Sequence, residues 1–195
     1  MTAERDQGPQ RPAAVERHDD ALLTVRAAEG DEEAFETLVR RYGPPMLRLA
    51  GQLLGSRAEA EDAVQEAFVS AWRKLPEFRG EAGFGTWLHR IVTNRCLNTL
   101  RARRTVTDID ELPEQAAPEH QSSPVRAAES QAAVHALGKA MAVLSPEQRA
   151  CWVLREVEAV PYETIATMVG ISQEAVRARV FRARRCLTEA MDAWR

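Results

Sequence analysis

The most constraining part of the sequence is the stretch numbered 161–185, PYETIATMVGISQEAVRARVFRARR. Gly170 can adopt the positive φ that ends a helix, and Ser172 is a suitable N-cap for the next one. The residues that follow are apolar at i, i+4, i+7 and i+11, a spacing that predicts one buried stripe of Val176, Val180, Ala183 and Leu187. The stretch therefore predicts a short helix, a tight turn and a longer helix buried along one side.

The free faces of that longer helix are basic. They contain five arginines and one acid: Arg177, Arg179, Arg182, Arg184, Arg185 and Glu174. A helix supported from behind by another, with arginines on its free side, is how helix-turn-helix proteins enter the major groove. A helical hairpin with a solvated basic face would show the same charges, but the glycine, turn and cap spacing favours DNA binding.

Composition favours an all-α protein in a reducing compartment. The chain has 195 residues, 45% of them hydrophobic and only 6% aromatic, with a net charge of −3. Cys96, Cys151 and Cys186 are far apart and form no C-x-x-C pair, so we interpret them as small apolar residues. No apolar run reaches the length of a membrane span, which predicts a cytoplasmic protein without membrane insertion.

Breaker residues and charge divide the chain into two small helical domains, the second containing the helix-turn-helix. The predicted segments are a disordered tail at 1–17, a helical domain at 18–104, an acidic flexible linker at 105–123 and a second helical domain at 124–195. The linker could span at most roughly 60 Å.

Local signals predict several helix boundaries. Pro44 and Pro45 predict a kink or a break in the second helix. The sequence S-x-x-E at 56–59 predicts a capping box, and S-P-E-Q at 145–148 predicts a second one with proline at the first helical position. Pro76 predicts the end of the helix that begins after Ser56.

Two consecutive helices of the first domain have opposite charge. The first has an acidic face of Glu59, Asp62 and Glu66, and the second, predicted at 86–104, contains arginines and no acid. The acidic face is either a solvated surface with local ion pairs or a protein-docking surface. Aromatic rings beside arginines suit unstacked bases, although the spacing favours a core position for Phe84 and leaves Trp87 open.

The sequence contains no catalytic constellation. The four histidines lie apart from cysteines and paired carboxylates, and phosphate-binding glycine loops and nucleophile motifs are absent. We therefore expect a protein that is not an enzyme and that needs no metal or cofactor.

Two segments together resemble a known family. AEDAVQEAFVSAWRKLPEFRG followed by FGTWLHRIVTNRCLN resembles region two of bacterial sigma factors of the extracytoplasmic-function (ECF) group, and LSPEQRACWVLREVEAVPYETIATMVGISQEAVRARVFRARRCL resembles their region four. The resemblance spans about residues 19–187 apart from the linker. It implies a subunit that joins core RNA polymerase and directs promoter-specific initiation.

The resemblance also implies roles for individual residues and partners. Docking on the polymerase clamp falls to Asp62, Gln65 and Glu66. Capture of the melted −10 element falls to Phe84, Trp87, His89, Arg90, Asn94 and Arg95. Reading of the duplex −35 element, with docking of the same domain on the polymerase flap, falls to Ser172, Glu174, Arg177, Arg179, Arg182 and Arg184. The acidic linker would follow the polymerase's nucleic-acid path, and an anti-sigma protein is an expected partner.

Three positions depart from the family pattern. Gly85 replaces a larger, often basic residue, Pro161 replaces a common serine cap, and Glu174-Ala175 replaces a common glycine-threonine pair. An alternative remains at this stage, namely a stand-alone helix-turn-helix regulator with an N-terminal dimerisation or sensing domain. An adaptor that binds only protein is a third possibility.

Overall fold

The computed structural model describes residues 13–107, 138 and 140–192, with side chains for 19–103, 138 and 140–190. Within these residues the chain is helical and contains no strand, which confirms the all-α prediction. The α-helices are α1 (Ala13–Ala28), α2 (Glu32–Leu54), α3 (Arg57–Lys74), α4 (Phe84–Thr107), α5 (Pro146–Trp152), α6 (Tyr162–Val169) and α7 (Gln173–Asp192). A 3-10 turn, Leu75–Glu77, follows α3, and a π-helical turn, Val153–Val157, follows α5.

The first half of the molecule is a bundle of α1 to α4, in which α2 contacts each of the other three helices. Its centre consists of fully buried aliphatic side chains, among them Leu38, Met46, Leu49, Leu53, Leu88 and Val92. At its edge Arg41 forms ion pairs with Asp19 and Asp20, and Tyr42 Oη donates to Asp20 Oδ2 at 2.6 Å. These contacts attach α1 to α2.

Helix α2 runs without interruption through Pro44 and Pro45, so the predicted break is wrong. Each proline removes one backbone donor from the helix. Burial of neighbouring side chains compensates for these lost hydrogen bonds, because Leu38 before the prolines and Met46 and Leu49 after them are fully enclosed in one core.

The predicted caps form, one of them in part. Ser145 Oγ accepts from the Gln148 amide at 3.2 Å while Gln148 Oε1 accepts from the Ser145 amide at 3.0 Å, a complete capping box. Ser56 Oγ accepts from the Glu59 amide at a long 3.5 Å, but the Glu59 carboxylate pairs with Arg103. The Glu59 carboxylate is therefore bound by Arg103 of α4, and only the Ser56 half of the predicted capping box at 56–59 forms.

Some predicted boundaries shift or lie outside the description. Helix α1 begins at Ala13, so residues 13–17 of the predicted tail are helical, and α4 includes the first three residues of the predicted linker and ends at Thr107. Most of the predicted linker and the beginning of the second domain lie outside the described residues. None of the helices in the described ranges has the length and apolar character needed to cross a bilayer.

The second half packs against the first mainly through α4. Helix α4 contacts α5 and α6, and the π-helical turn contacts α2. Helix α7 in turn packs on α5 and α6. Buried residues of both halves consequently belong to one continuous apolar cluster.

Candidate nucleic-acid interface

Four aromatic rings meet at the start of α4. Phe84 lies 5.3 Å from Tyr42 and 5.9 Å from Trp87, and Trp87 lies 4.8 Å from Phe78, measured between ring centroids. Phe84 is only 3% exposed, in agreement with the core position that its spacing favoured. Trp87 is half-buried, so its side chain remains partly accessible at a position that the spacing left open and to which the family resemblance gives a −10 role.

Gly85 has a steric reason to lack a side chain. A Cβ atom at this position would lie 2.7 Å from Tyr42 Cε1 and 3.0 Å from Tyr42 Oη. The Tyr42 ring thus occupies the space of the larger residue expected there from the family pattern. The Gly85 carbonyl also contacts His89 Nδ1 at 2.9 Å, which orients that ring along the helix.

The polar residues that follow along α4 are exposed, but they differ in their partners. Arg90, Asn94 and Arg95 are all exposed, and Arg95 forms an ion pair with Glu66 of α3. Asp62 and Gln65, on the same helix as Glu66, are exposed as well. The acidic residues and the basic helix of the first half are thus adjacent surfaces, joined by Arg95–Glu66 and by Arg103–Glu59.

The helix-turn-helix forms as predicted. Gly170 has φ 73° and its amide donates to the Ala166 carbonyl, while Ser172 Oγ accepts from the Ala175 amide at 3.2 Å. The predicted stripe is buried, with exposures between 0% and 7% for Val176, Val180, Ala183 and Leu187. Helix α7 therefore presents its opposite side to solvent.

The exposed side of α7 contains a row at helical spacing: Arg177, Phe181 and Arg184. The Phe181 ring is 65% exposed, which is unusual for so large an apolar group. Arg177 lies 5.6 Å from the Tyr162 ring centroid, and Arg184 Nη2 contacts Glu156 Oε1 at 2.7 Å. Glu174 and Ser172 lie at the start of this helix, and both are exposed.

Arg179 occupies a different environment from the other arginines of α7. It is half-buried, its Nη1 atom is enclosed, and its charge acts on Cys151 and Glu147 of α5. The structure therefore places Arg179 at the α5–α7 junction, whereas Arg182 is exposed on the flank of the helix.

Phe181 was not among the predicted site residues, and Arg185 was predicted only as part of the basic face of the helix; both are exposed on α7. Their spacing contains the signal. Phe181 follows Arg177 by four residues and precedes Arg185 by four, so it must share their side of the helix. An aromatic residue in the middle of a basic row is a candidate for contact with a thymine methyl group.

Burial shifts the pKa values of several groups that lie beneath these surfaces. Burial raises the pKa of the Cys96 thiol to about 12 and that of Cys151 to about 11, the latter opposed by Arg179. Burial and the nearby charge of Arg103 lower the pKa of Arg149 to about 10. Among the described residues, no group of three or more His, Cys, Asp or Glu could hold a metal ion.

Two protein-family descriptions match the chain, one in its first half and one in its second half. Sigma-70 region 2 matches residues 38–106, which include most of α2 and all of α3, and Sigma-70 region 4 matches residues 135–187. The RNA polymerase sigma-H factor of Pseudomonas aeruginosa is 38% identical over 89% of this chain and 94% of its own length. The ECF RNA polymerase sigma-E factor of Escherichia coli K12 is 34% identical over 89% and 92%.

Solved structures show the same architecture. CnrH in complex with the cytosolic domain of CnrY is 27% identical, covers 90% of this chain and 98% of its own, and superimposes with a TM-score of 0.64. The sigma factor RpoE in complex with the anti-sigma factor NepR from Bartonella quintana is 26% identical over 83% and 98%, with a TM-score of 0.62.

The chain belongs to the sigma-70 family of RNA polymerase sigma factors, within the ECF group. This family is not one of catalytic enzymes. The stand-alone regulator is not favoured, because its N-terminal half would have no reason to match region 2.

Proposed function

We propose that this sigma factor binds core RNA polymerase through the α3 surface, captures the −10 element with α4 and reads the −35 element with α7. The observation that most supports the division is the pairing of a half-exposed Trp87 beside arginines in one half with an exposed basic row on a helix-turn-helix in the other. Single-stranded bases stack on aromatic rings, and duplex DNA accepts a helix in its major groove.

The structure refines which residues we assign to the −35 element. Arg177, Arg182 and Arg184 remain in the proposal with Ser172 and Glu174, and Phe181 is added as an apolar contact. Arg179 is assigned to supporting α7 on α5, because its side chain is directed to Cys151 and Glu147. In the first half, Phe84 supports Trp87 from the core, while Trp87, His89, Arg90, Asn94 and Arg95 face the DNA.

The proposal extends to protein partners. Asp62, Gln65 and Glu66 are exposed on α3 and would contact the polymerase clamp, while the second half would contact the flap. The two similar structures contain CnrY and NepR, and we propose an anti-sigma polypeptide as a partner of this chain too. Binding to core polymerase would require this protein to reside in the cytoplasm, and we propose that location.

Reconstitution with core polymerase tests this function. The holoenzyme should select specific promoters from fragmented genomic DNA, whereas neither component should do so alone. Arg177→Ala should weaken −35 duplex binding about tenfold with core binding intact, and Asp62→Lys should do the reverse. Arg57→Ala is the matched control, because Arg57 is 92% exposed on α3 and pairs only along its own helix in the described contacts. Loss of both functions in both variants would contradict the division.

A further inference from the structure

Tyr42 lies at the point where α1, α2 and the start of α4 meet. Its ring packs edge-on against the ring of Phe84, with the two centroids 5.3 Å apart. The same ring occupies the space beside Gly85, where a Cβ atom would lie 2.7 Å from Tyr42 Cε1. At the other end of the side chain, Tyr42 Oη donates to Asp20 Oδ2 of α1 at 2.6 Å. One side chain of α2 therefore joins α1 to the first turn of α4.

The carboxylate that accepts this hydrogen bond is itself fixed in place. Asp20 Oδ1 forms an ion pair with Arg41, and the Asp20 side chain is only 13% exposed. Hydrogen bonds to an ionised partner are shorter and stronger than hydrogen bonds between neutral groups. A ring that is held at its hydroxyl and packed along its edge has little freedom to shift, so Asp20 determines where the Tyr42 ring lies.

A short series of aromatic contacts connects the Tyr42 ring to Trp87. Phe84 and Trp87 are three residues apart in the first turn of α4, so they are neighbours on one side of the helix, with centroids 5.9 Å apart. Phe78, which follows the 3-10 turn, also contacts Trp87, at 4.8 Å between centroids. Close-packed side chains transmit small displacements to their neighbours. A displaced Tyr42 ring would therefore change the position of Phe84 and, with it, the orientation of Trp87.

The hydroxyl of Tyr42 is more than a core residue needs in order to fill space. Phenylalanine would fill the same volume beside Gly85, and burying a hydroxyl and a carboxylate costs free energy unless they are paired. Apolar contact has no preferred direction, whereas a hydrogen bond fixes the position of an atom. The Asp20–Tyr42 hydrogen bond thus adds a defined geometry to this contact.

We propose that Tyr42, held by Asp20, is a positioning residue for capture of the −10 element, because it sets the orientation in which Trp87 meets an unstacked base. Helix α1, which contributes none of the proposed DNA contacts, takes part in −10 recognition through this hydrogen bond. Gly85 belongs to the same arrangement, since a larger residue there would displace the Tyr42 ring. This inference rests on the proposed function, since it assumes that Trp87 stacks on a −10 base.

Fluorine NMR on the free chain tests the positioning step. The chain is labelled with 5-fluorotryptophan, and the Trp87 resonance is identified by its loss in Trp87→Phe. Tyr42→Phe removes the hydroxyl and keeps the ring, so we expect the Trp87 resonance to shift or broaden. The Trp72 resonance is the internal reference and should not move, because Trp72 packs on Phe35 at 4.8 Å, in a different ring contact.

DNA binding by the reconstituted holoenzyme tests the consequence. The probe is a fluorescent single-stranded oligonucleotide containing the −10 element of a promoter that the holoenzyme selects from genomic DNA. Tyr42→Phe should weaken its binding about three- to tenfold, less than the full strength of a hydrogen bond to a carboxylate, because the ring remains packed.

Two further variants identify the hydrogen bond as the cause. Asp20→Asn, which keeps an oxygen acceptor for the hydroxyl, should weaken oligonucleotide binding less than Asp20→Ala. Asp20→Ala combined with Tyr42→Phe should weaken it no further than Asp20→Ala alone, because both remove the same hydrogen bond. Affinities for core polymerase and for −35 duplex should not change in any of these variants.

The matched control is Phe35→Leu, which loosens the same helical bundle in a ring contact that does not include Tyr42. It should lower the urea midpoint of unfolding and leave oligonucleotide affinity unchanged. A Trp87 resonance that does not respond to Tyr42→Phe would overturn the positioning role. So would a loss of oligonucleotide affinity in Tyr42→Phe no larger than the loss in Phe35→Leu.

Failure of this inference and failure of the proposed function are distinguishable, because the fluorine measurement needs neither polymerase nor DNA. An unresponsive Trp87 resonance overturns the positioning role even where the holoenzyme initiates at specific promoters. A responsive resonance, together with an unaltered holoenzyme that does not bind the oligonucleotide, would overturn the −10 role of Trp87 and this inference with it.

Discussion

Ala159 is the residue with the clearest backbone strain. Its φ is +52°, the only positive value of a non-glycine residue in the described part of the chain, and it lies between the π-helical turn and α6. For alanine this left-handed conformation costs about 1–2 kcal/mol, whereas glycine adopts it freely. Ala159→Gly should therefore raise the free energy of unfolding by about 0.5–1 kcal/mol in urea titrations, after the entropy loss of glycine is subtracted.

The matched control for Ala159→Gly is Ala58→Gly. Ala58 is exposed in the first turns of α3, where glycine should lower the free energy of unfolding by up to about 1 kcal/mol. The two substitutions are chemically identical and should have opposite signs. A loss of stability at both positions would show that the backbone at Ala159 is not strained.

Gly85 and Tyr42 form a complementary pair in which neither can change alone. In Gly85→Ala the new methyl carbon would lie 2.7 Å from the Tyr42 ring, and we expect a loss of about 1–3 kcal/mol in the free energy of unfolding. Tyr42→Ala should recover part of that loss in the double variant, so the two effects will not add. Gly51→Ala in α2, where a Cβ meets no neighbour, should stabilise by up to about 1 kcal/mol. Equal effects of the two alanine substitutions would contradict this packing.

At the scale of helices, local signals predicted the elements whose stabilising contacts are local. Ser145 with Gln148, Gly170 and Ser172 act on their own backbone, so the sequence alone was sufficient for them. The prediction failed at Pro44–Pro45 and was half right at Ser56–Glu59, because burial of α2 and the charge of Arg103 come from residues distant in the sequence. Tertiary contacts of this kind leave no mark in a short sequence window.

Arg103 of α4 also contacts α2 and α3. Its substitution should therefore destabilise the first half more than substitution of any other partly exposed side chain at its edge. Its Nη1 donates to the Leu54 carbonyl at the end of α2 and its Nε donates to Glu59 Oε1 at the start of α3, both at 2.9 Å. Arg103→Ala should lower the free energy of unfolding by about 2–3 kcal/mol, and Arg103→Lys by less, because lysine keeps the charge without the planar fork. Arg57→Ala should remain within about 0.5 kcal/mol, and a loss at Arg103 no larger than this would refute the three-helix role.

At the scale of the molecule, sequence predicted the two halves better than their arrangement. Family motifs and helical spacing identified α4 and α7 as the surfaces of interest, and the exposure of Arg90, Asn94, Arg177 and Arg182 is consistent with that proposal. The packing of α4 on α5 and α6 could not be predicted, because it depends on how two amphipathic surfaces meet across many intervening residues. The same limit applies to Arg179, whose charge suggested DNA but whose neighbours are Cys151 and Glu147.

The three cysteines report how completely the two halves are folded. Cys96 and Cys151 are fully buried, one in each half, and burial raises the pKa of their thiols to about 12 and about 11, while Cys186 is half-buried. Because the thiolate is the reactive form, a disulfide reagent at pH 8 should modify one thiol quickly and two only as fast as the protein unfolds. Cys186→Ser should abolish the fast phase alone, and the two slow thiols should stay protected in that variant, because both lie in the apolar core. Rapid modification of Cys96 or Cys151 in that variant would mean that the core around that cysteine opens without unfolding of the whole protein.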